Sequence, residues 1–513
     1  MRKIIICIIV FINLAGSICS QQVYFNKRYQ LNDHQIFSSA PSAIESDGKY
    51  YLTGATEDTV NQSWRWVFFM QLSDSGFVDR INYLGDYSHD YYPAWPGSFQ
   101  KQGSRFVFAG NKIYYGPYNE VGVLAKLNSN LDTIWLREYY GDLNLPFDSI
   151  QQINNISICS DGGIICTGRQ YTYQQSSKML LLRTDSTGSQ LWKRCYGITG
   201  LNNAYSVIQT TDGGFAIGGF WYIPGSSVHT GDPIIIKTDS MGNQEWQKNI
   251  GGPYQDNSAN LCLSPDGSII AGTMYADSLA GDVPYSRIHI VKMDNTGNII
   301  WDKKYDRSNI VYNYMSRINC LDDGSIIACG SKPIEPPRTS SWAMKVSSEG
   351  DSLWYRHYDN LHGYQSFNYL YDIIPTSDNG FLTCGYVFPM QPDTGTQDAW
   401  VLKLDSMGCD TPGCFTVTVF EQPTDHAPRT THLQIFPNPA VHYVNIRSSI
   451  FGPRSSIFIY DLFGRKQDEI IIPKGQNETK LDISAYPPGV YIAVLKNEKG
   501  LVSRGKFVKS GDR

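Results

Sequence analysis

At 513 residues the chain is longer than one ordinary compact domain, and 46 Gly, 34 Tyr and only 18% charged residues suit many short strands joined by tight turns. That balance excludes coiled coil and disorder. A formal net charge of −5 without a basic block leaves nucleic-acid binding no electrostatic footprint.

Residues 1–20, MRKIIICIIVFINLAGSICS, combine a basic start, an apolar run and small residues near Ser17 and Ser20, the pattern of a secretory signal peptide. The run from Ile4 to Leu14 is too short to span a bilayer, and no later stretch reaches the roughly 18 apolar residues a transmembrane helix needs. Cys19 raises a lipoprotein reading, but Ile18 before it is bulkier than such signals tolerate. The chain is therefore expected to be exported.

From 21 to 410 the sequence repeats itself. KTDSMGNQEW from Lys237 has close variants from Arg183, Lys292 and Lys345, a looser one from Lys126, a truncated one from Lys403 and a decayed one from Gln71. The seven copies lie about 53 to 58 residues apart, which signals stacked or radially arranged units. Read from Ala204 to Gly251, one repeat gives strand AYSVIQTT, turn DGG, strand FAIGGF, a variable loop, strand DPIIIKT, turn DSMGN and strand QEWQKNI. Four short strands per repeat make a β-propeller blade, so the expected fold is all-β, a seven-bladed propeller.

Asp-Gly turns recur at Asp47, Asp161, Asp212, Asp266 and Asp323, and Asp378-Asn379-Gly380 is their variant. Gly supplies positive φ and Asp bonds its own backbone, so these are hairpin turns with a mechanism. Trp135, Trp192, Trp246, Trp301 and Trp354, one per repeat, are expected to pack on the outer strands. The basic residue two before the turn Asp, as at Lys237, Arg183, Lys292 and Lys403, predicts a blade-to-blade ion pair or a solvated edge.

The seventh repeat stops after its third strand, at VLKLDSMGCD, and lacks the Trp-bearing fourth. Val23–Tyr29, VYFNKRY, resembles WDKKY at Trp301 and WQKNI at Trp246, so the N-terminal segment is expected to supply that strand and close the ring. Closure would remove the open sheet edges that template aggregation.

Nine cysteines lie beyond residue 20, an odd number, so at least one is unpaired. Cys409 and Cys414 flank a Thr-Pro-Gly turn and are the expected disulfide; the others sit mostly in apolar strand runs, where a thiol behaves as a small core residue.

The DSxGN turns resemble the Asp box of sialidase-type propellers, with Gly three residues after Asp239 rather than two. That box is a folding element. The DGG and KxDxxGxxxW signatures over about 23–410 resemble diverged secreted propellers of Bacteroidetes-type bacteria, a resemblance that speaks to fold and little to function.

Residues 411–432 are Thr- and Pro-rich and read as a linker. From 433 to 513 a new pattern of six or seven short alternating strands predicts a small Ig-like β-sandwich. Phe436-Pro437-Asn438-Pro439, then Tyr460-Asp461 with Gly464-Arg465, then Gly489-Val490-Tyr491 and Lys506-Phe507-Val508-Lys509 resemble, in order, the type A sorting domain of type IX secretion cargo. An accessory or glycan-binding Ig-like module would not need that motif order. The resemblance implies recognition by the secretion machinery at the outer membrane, removal of the domain, and release or attachment at the cell surface.

Function in the ring is sought on the face opposite the turns, in the loops between second and third strands and between blades. These are aromatic: Trp64, Trp66, Tyr91, Tyr92, Trp95, Tyr114, Tyr115, Tyr118, Tyr171, Tyr173, Trp221 and Tyr222. Such rings beside Asp, Asn and Gln suit stacking on sugars or gripping a protein, or they plug the propeller mouth. No HExxH, GxSxG, P-loop or dinucleotide fingerprint occurs, and the nine His show no metal-ligand spacing. No catalytic residue, metal or cofactor is therefore assigned. Asp86, Asp90, Asp256 and Asp282 fall on the same face, whose loops are poor in arginine. The expectation is a monomeric, non-catalytic binding or scaffold propeller for a glycan or protein; the alternative is a divergent polysaccharide-degrading enzyme, which needs paired carboxylates at the mouth.

Overall fold

The computed structural model describes 23–412 except 32–36, 59–63, 116–117, 142–149, 173–175, 198–199, 223–230, 255, 281–282, 307–311, 336–337, 391–392 and 394, and also 414, 433–447, 455–461, 466–473, 476, 478–497 and 500–510. The expected leader and most of the expected linker lie outside these residues. The chain divides into two compact units, 1–420 and 421–513.

The first unit is a β-propeller. Its described strands form seven antiparallel four-stranded blades, counted 38–84, 90–139, 151–196, 202–249, 260–305, 314–358 and 367–404 with Phe25–Tyr29. The inner strand of the second blade is split into Asp90–Pro93 and Phe99–Gln102, and one parallel pair, Thr339 with Phe367, joins the sixth and seventh sheets. Seven apolar clusters lie between successive blades, the last between the seventh and the first. Each blade is too thin to bury both faces alone, so its neighbours supply the core.

The ring closes through strand Phe25–Tyr29, which pairs antiparallel with Ala399–Lys403. Phe25 stands opposite Lys403, as Trp301 stands opposite Lys292 and Trp246 opposite Lys237. The outer-strand aromatic then packs on the turn glycine of the next blade: Trp135 on Gly188, Trp192 on Gly242, Trp246 on Gly297, Trp301 on Gly350, Trp354 on Gly408, and Phe25 on Gly76 of the first blade. Four residues on from each of these except Trp246, where Ile250 stands, a tyrosine hydroxyl donates to the same glycine carbonyl, at 2.6 Å for Tyr305 to Gly350 and 2.8 Å for Tyr29 to Gly76. The first blade departs from this rule: Arg80 takes the Trp position opposite Gln71.

The repeated basic residue is neither a bridge between blades nor solvated. Lys237 is fully buried, and its Nζ donates to Asp212 at 2.8 Å, Glu245 at 2.8 Å and the Thr238 carbonyl at 2.9 Å, all in its own blade. Lys403 with Asp378, Arg183 with Asp161 and Lys292 with Asp266 repeat the pairing at 2.7 Å. The ammonium needs three acceptors when buried, and the Asp of the first hairpin turn is a carboxylate the blade places within reach. Burial alone would raise Asp212, but bonds from Lys237, Thr210 and Asn295 hold it well below the usual carboxylate range. The Asn295 bond, 2.7 Å from a turn of the fifth blade to a turn of the fourth, puts both turn types on one face.

Cys409 and Cys414 are disulfide-bonded. A second bridge, Cys262 to Cys320, links the inner strands of the fifth and sixth blades, where core thiols were expected.

The second unit is a sandwich of a three-stranded and a four-stranded sheet. Val444, Ile446, Ile457, Ile459, Leu495 and Phe507 fill the space between them.

Candidate functional site

The inner strand of each blade runs from the mouth face towards the turn face, and in every blade but the fifth its register against the second strand is interrupted once. The slip leaves one extra residue, Asn154 in the third blade, Tyr205 in the fourth, Ser316 in the sixth and Tyr371 in the seventh. In the first blade it falls at Ala40-Pro41. In the second blade it has grown into Ala94–Ser98, a five-residue excursion opposite Ala109. A bulge turns its extra side chain out of the pleat, here towards the ring axis.

A glycine in the second strand makes the bulge possible. A Cβ on Gly168 would sit 2.0 Å from the Gln152 carbonyl oxygen, and one on Gly385 would sit 1.9 Å from that of Tyr369. The two backbones touch there, so no side chain fits.

Two adjoining cavities collect the bulge residues. One of about 350 Å³ is lined by Pro41, Trp95, Asn154, Tyr205 and Tyr371, together with Tyr92, Asn111, Gln152, Asn203, Arg65 and Arg169. The other, about 270 Å³, shares Trp95, Tyr205 and Tyr371 and adds Ser258, Ser316, Asn257, Tyr314, Met315 and Tyr369. Trp95 stands between them, edge-on to Tyr205 at 5.6 Å and to Tyr371 at 6.4 Å. Its segment is pinned across the channel: Trp95 N donates to Asn154 O at 2.9 Å, while Asn155 and Arg317 donate to Pro96 O at 2.7 and 3.3 Å. Gly97, at φ 80°, lies against the Arg317 guanidinium.

The first cavity is polar in an ordered way. Asn154 donates to Asn203 at 2.7 Å, and Asn203 donates to the Tyr205 hydroxyl at 2.8 Å. Gln152 donates to Glu120 at 2.5 Å and accepts from Arg169 Nε. Arg169 also lies over the Tyr171 ring at 4.6 Å. Arg65 Nε donates to Glu57 at 2.8 Å. The Nη groups of both arginines make no hydrogen bond among the described residues. Burial pushes the Glu120 carboxyl up, against the pull of Gln152 and Arg169, and burial likewise holds Tyr371 at about 12.

The structure redistributes the expected aromatic residues. Tyr92 and Trp95 line the mouth, whereas Tyr91 is a buried strand residue bonded to Asp86. Trp66 faces outward to Tyr83 and Tyr87, and Trp221 packs between the third and fourth blades. Tyr114 and Tyr115 end a strand and bond to Glu138 and Asp90. Tyr171 ends a strand beneath Arg169. Trp64, Tyr118 and Tyr222 are strand-end residues whose side chains lie outside the description, as does Tyr173 altogether. Most of these positions are strand ends rather than loops.

The rim carboxylates are engaged locally. Asp86 meets His89 at 2.8 Å, Asp90 accepts from Arg65 N at 2.8 Å, and Asp256 accepts from Ala276 N at 2.5 Å; Asp282 is outside the described residues. No aspartate or glutamate is among the described lining of the two cavities. The arginine-poor loops are compensated by Arg65 and Arg169, which come from strands. Among the described residues no group of three His, Cys, Asp or Glu could hold a metal ion, and no helix is long and apolar enough to cross a membrane.

In the second unit, Phe436, Pro437, Asn438 and Pro439 are exposed, and both X-Pro bonds are cis. Asn438 donates to Lys506 O at 3.1 Å and accepts from Val508 N at 2.9 Å, tying the first motif to the last. Tyr491 stacks on Phe507 at 5.5 Å, and Lys509 pairs opposite Gly489. Tyr460 and Asp461 pair with Ile492 and Tyr491, while Gly464 and Arg465 lie outside the described residues.

Among curated proteins the chain is 25% identical over 146 residues to the regulatory protein FlaEY of Caulobacter vibrioides, covering 26% of this chain and 15% of that protein. Solved structures similar to it include a protein of unknown function from Dyadobacter fermentans, at 12% identity and TM-score 0.40, covering 75% of this chain and 98% of that one. The β-propeller domain of the Trilobed protease of Pyrococcus furiosus gives 7% and 0.42, covering 71% and 94%, and the polysaccharide lyase Uly1 gives 6% and 0.41, covering 77% and 94%. The propeller assignment rests on the strand pairing above. Residues 434–510 match the model of the secretion system C-terminal sorting domain. Those residues are a secretion system C-terminal sorting domain of type IX cargo, and the chain that carries it is a secreted propeller protein, released or attached at the cell surface.

Proposed function

We propose that the propeller is a non-catalytic binding module of a Bacteroidetes-type bacterium, working at the cell surface or outside the cell, and that its ligand is a glycan held at the central mouth. The convergence of Trp95, Tyr205 and Tyr371 with the amides of Asn154, Gln152 and Asn203 supports this reading. Aromatic faces take the apolar face of a pyranose, and paired amides satisfy its hydroxyls. Both cavities are of saccharide size and open side by side.

The exposed Phe436–Pro439 stretch supports a role in recognition by the secretion machinery, and the buried Tyr491, Phe507 and Lys509 support a role in holding that stretch in shape. Deleting 433–513 is expected to abolish export; intact secretion of the deletion would refute it.

The test of the mouth is a glycan array with the secreted chain, combined with an assay for newly released reducing ends. Binding without release, lost in Trp95→Ala, is the expected result. Release of reducing ends would replace it with the enzyme reading, and an unchanged array profile in Trp95→Ala would remove the site from the mouth.

A further inference from the structure

The two cavities differ in charge. The first has Arg65 and Arg169 on its wall, with Nη groups that no described residue engages. The second is lined by Asn, Ser, Met and tyrosine and carries no charged side chain among its described residues. In a chain of net charge −5, two arginines at one mouth are a local reversal. Their nearest carboxylates are spoken for: Glu57 accepts from Arg65 Nε at 2.8 Å, and Glu120 is turned to Gln152 at 2.5 Å and lies behind the wall.

Guanidinium groups whose Nη donors no described residue engages, beside an aromatic surface, match a planar or tetrahedral oxyanion, because they can donate two parallel bonds. Resting on the glycan reading above, we infer that the ligand is an acidic oligosaccharide. Its anionic substituent, a uronate carboxylate or a sulfate ester, is held in the first cavity by Arg65 and Arg169. Its neighbouring neutral unit lies past Trp95 in the second cavity, against Tyr205 and Tyr371. The charge difference gives the bound chain a direction, acidic residue on the arginine side.

The experiment is calorimetric titration of the secreted chain with oligosaccharides of matched length that are neutral, uronate-bearing or sulfated, and with poly-glutamate as charge without sugar. Arg65→Gln, Arg169→Gln and Trp95→Ala are compared with the wild type, and circular dichroism checks that each stays folded. An acidic oligosaccharide is expected to bind at least ~tenfold tighter than the neutral one, to weaken with salt, and to lose ~tenfold or more in each arginine variant. The neutral oligosaccharide is expected to be unaffected by the arginine variants and weakened by Trp95→Ala. Preference for uronate or for sulfate identifies the anion, and either supports the inference. Equal binding of neutral and acidic forms, lost only in Trp95→Ala, overturns the acidic ligand and keeps the glycan site. Binding of poly-glutamate alone, or of nothing in the panel, overturns both.

Discussion

Replacing Phe25 by Ala tests the ring closure directly. Phe25 is 7% exposed, touches Tyr50 at 6.0 Å between centroids, and covers Gly76, on which a Cβ would sit only 2.9 Å from its ring. Truncating a buried Phe costs about 3–5 kcal/mol, while the Tyr29 hydroxyl bond to Gly76, worth about 1 kcal/mol, stays in place. One kcal/mol moves the melting temperature by about 2–4 °C in a domain of roughly 200 residues, and by about half that in a ring of twice the size. Phe25→Ala should therefore lower the melting temperature of the secreted chain by about 3–10 °C, read by tryptophan fluorescence. Phe25→Trp should be tolerated, because tryptophan fills the same slot on Gly188, Gly242, Gly297, Gly350 and Gly408. A Phe25→Ala chain melting within a degree of the wild type would refute the idea that this strand seals the ring.

Gly168→Ala should destabilise by more than the roughly 1–3 kcal/mol of ordinary overpacking, because the obstacle is the Gln152 backbone oxygen; urea unfolding reads the cost. Lys237→Met keeps the buried stem but removes three hydrogen bonds, at a cost of about 2–3 kcal/mol once the partial exposure of Asp212 and Glu245 is allowed for, and a loss under 0.5 kcal/mol would show the pairing to be incidental. Burial raises Asp256 to about 7, against the pull of the Ala276 and Gly252 N–H groups. The folded state then holds a proton that the unfolded chain, titrating at 3.8, has lost, so this group's contribution to stability falls as pH rises from about 4 to about 7 and is level above. Asp256→Asn should gain on the wild type between pH 5 and pH 8, by at most about 3 kcal/mol, in paired melting curves; a constant difference would contradict the shift.

The blade pattern was legible because a hairpin turn and an outer aromatic recur in a fixed order, and the N-terminal strand because Phe25-Asn26-Lys27-Arg28-Tyr29 carries the same spacing of aromatic and tyrosine as Trp301 to Tyr305. The mouth was not legible. Its lining residues at the bulges, Pro41, Trp95, Asn154, Tyr205, Ser316 and Tyr371, share a position and no common residue type, so no repeat of residue type announces them. The bulge that aims them adds a residue without disturbing the apolar alternation on either side. The trace it leaves is the second-strand glycine, as in TGA at Gly54, TGR at Gly168 and CGY at Gly385, which recurs because the backbones meet there. The basic clasp was visible as two separate repeats, Asp in the first turn and Lys or Arg in the third strand, and only the fold joins them. Strand ends look like loops when several tyrosines follow one another, which is why Tyr91, Tyr114 and Tyr115 were expected in loops.

The seam at Phe25 and Lys403 makes the propeller a test of its own completeness. The segment made first has no partner until the last blade has been made, so an interrupted chain keeps an open sheet edge on its final blade. The sorting domain begins some thirty residues beyond that blade's last strand, at residue 434. A chain able to present its address has therefore already been given every strand it needs to shut the ring, and a truncated product lacks both at once.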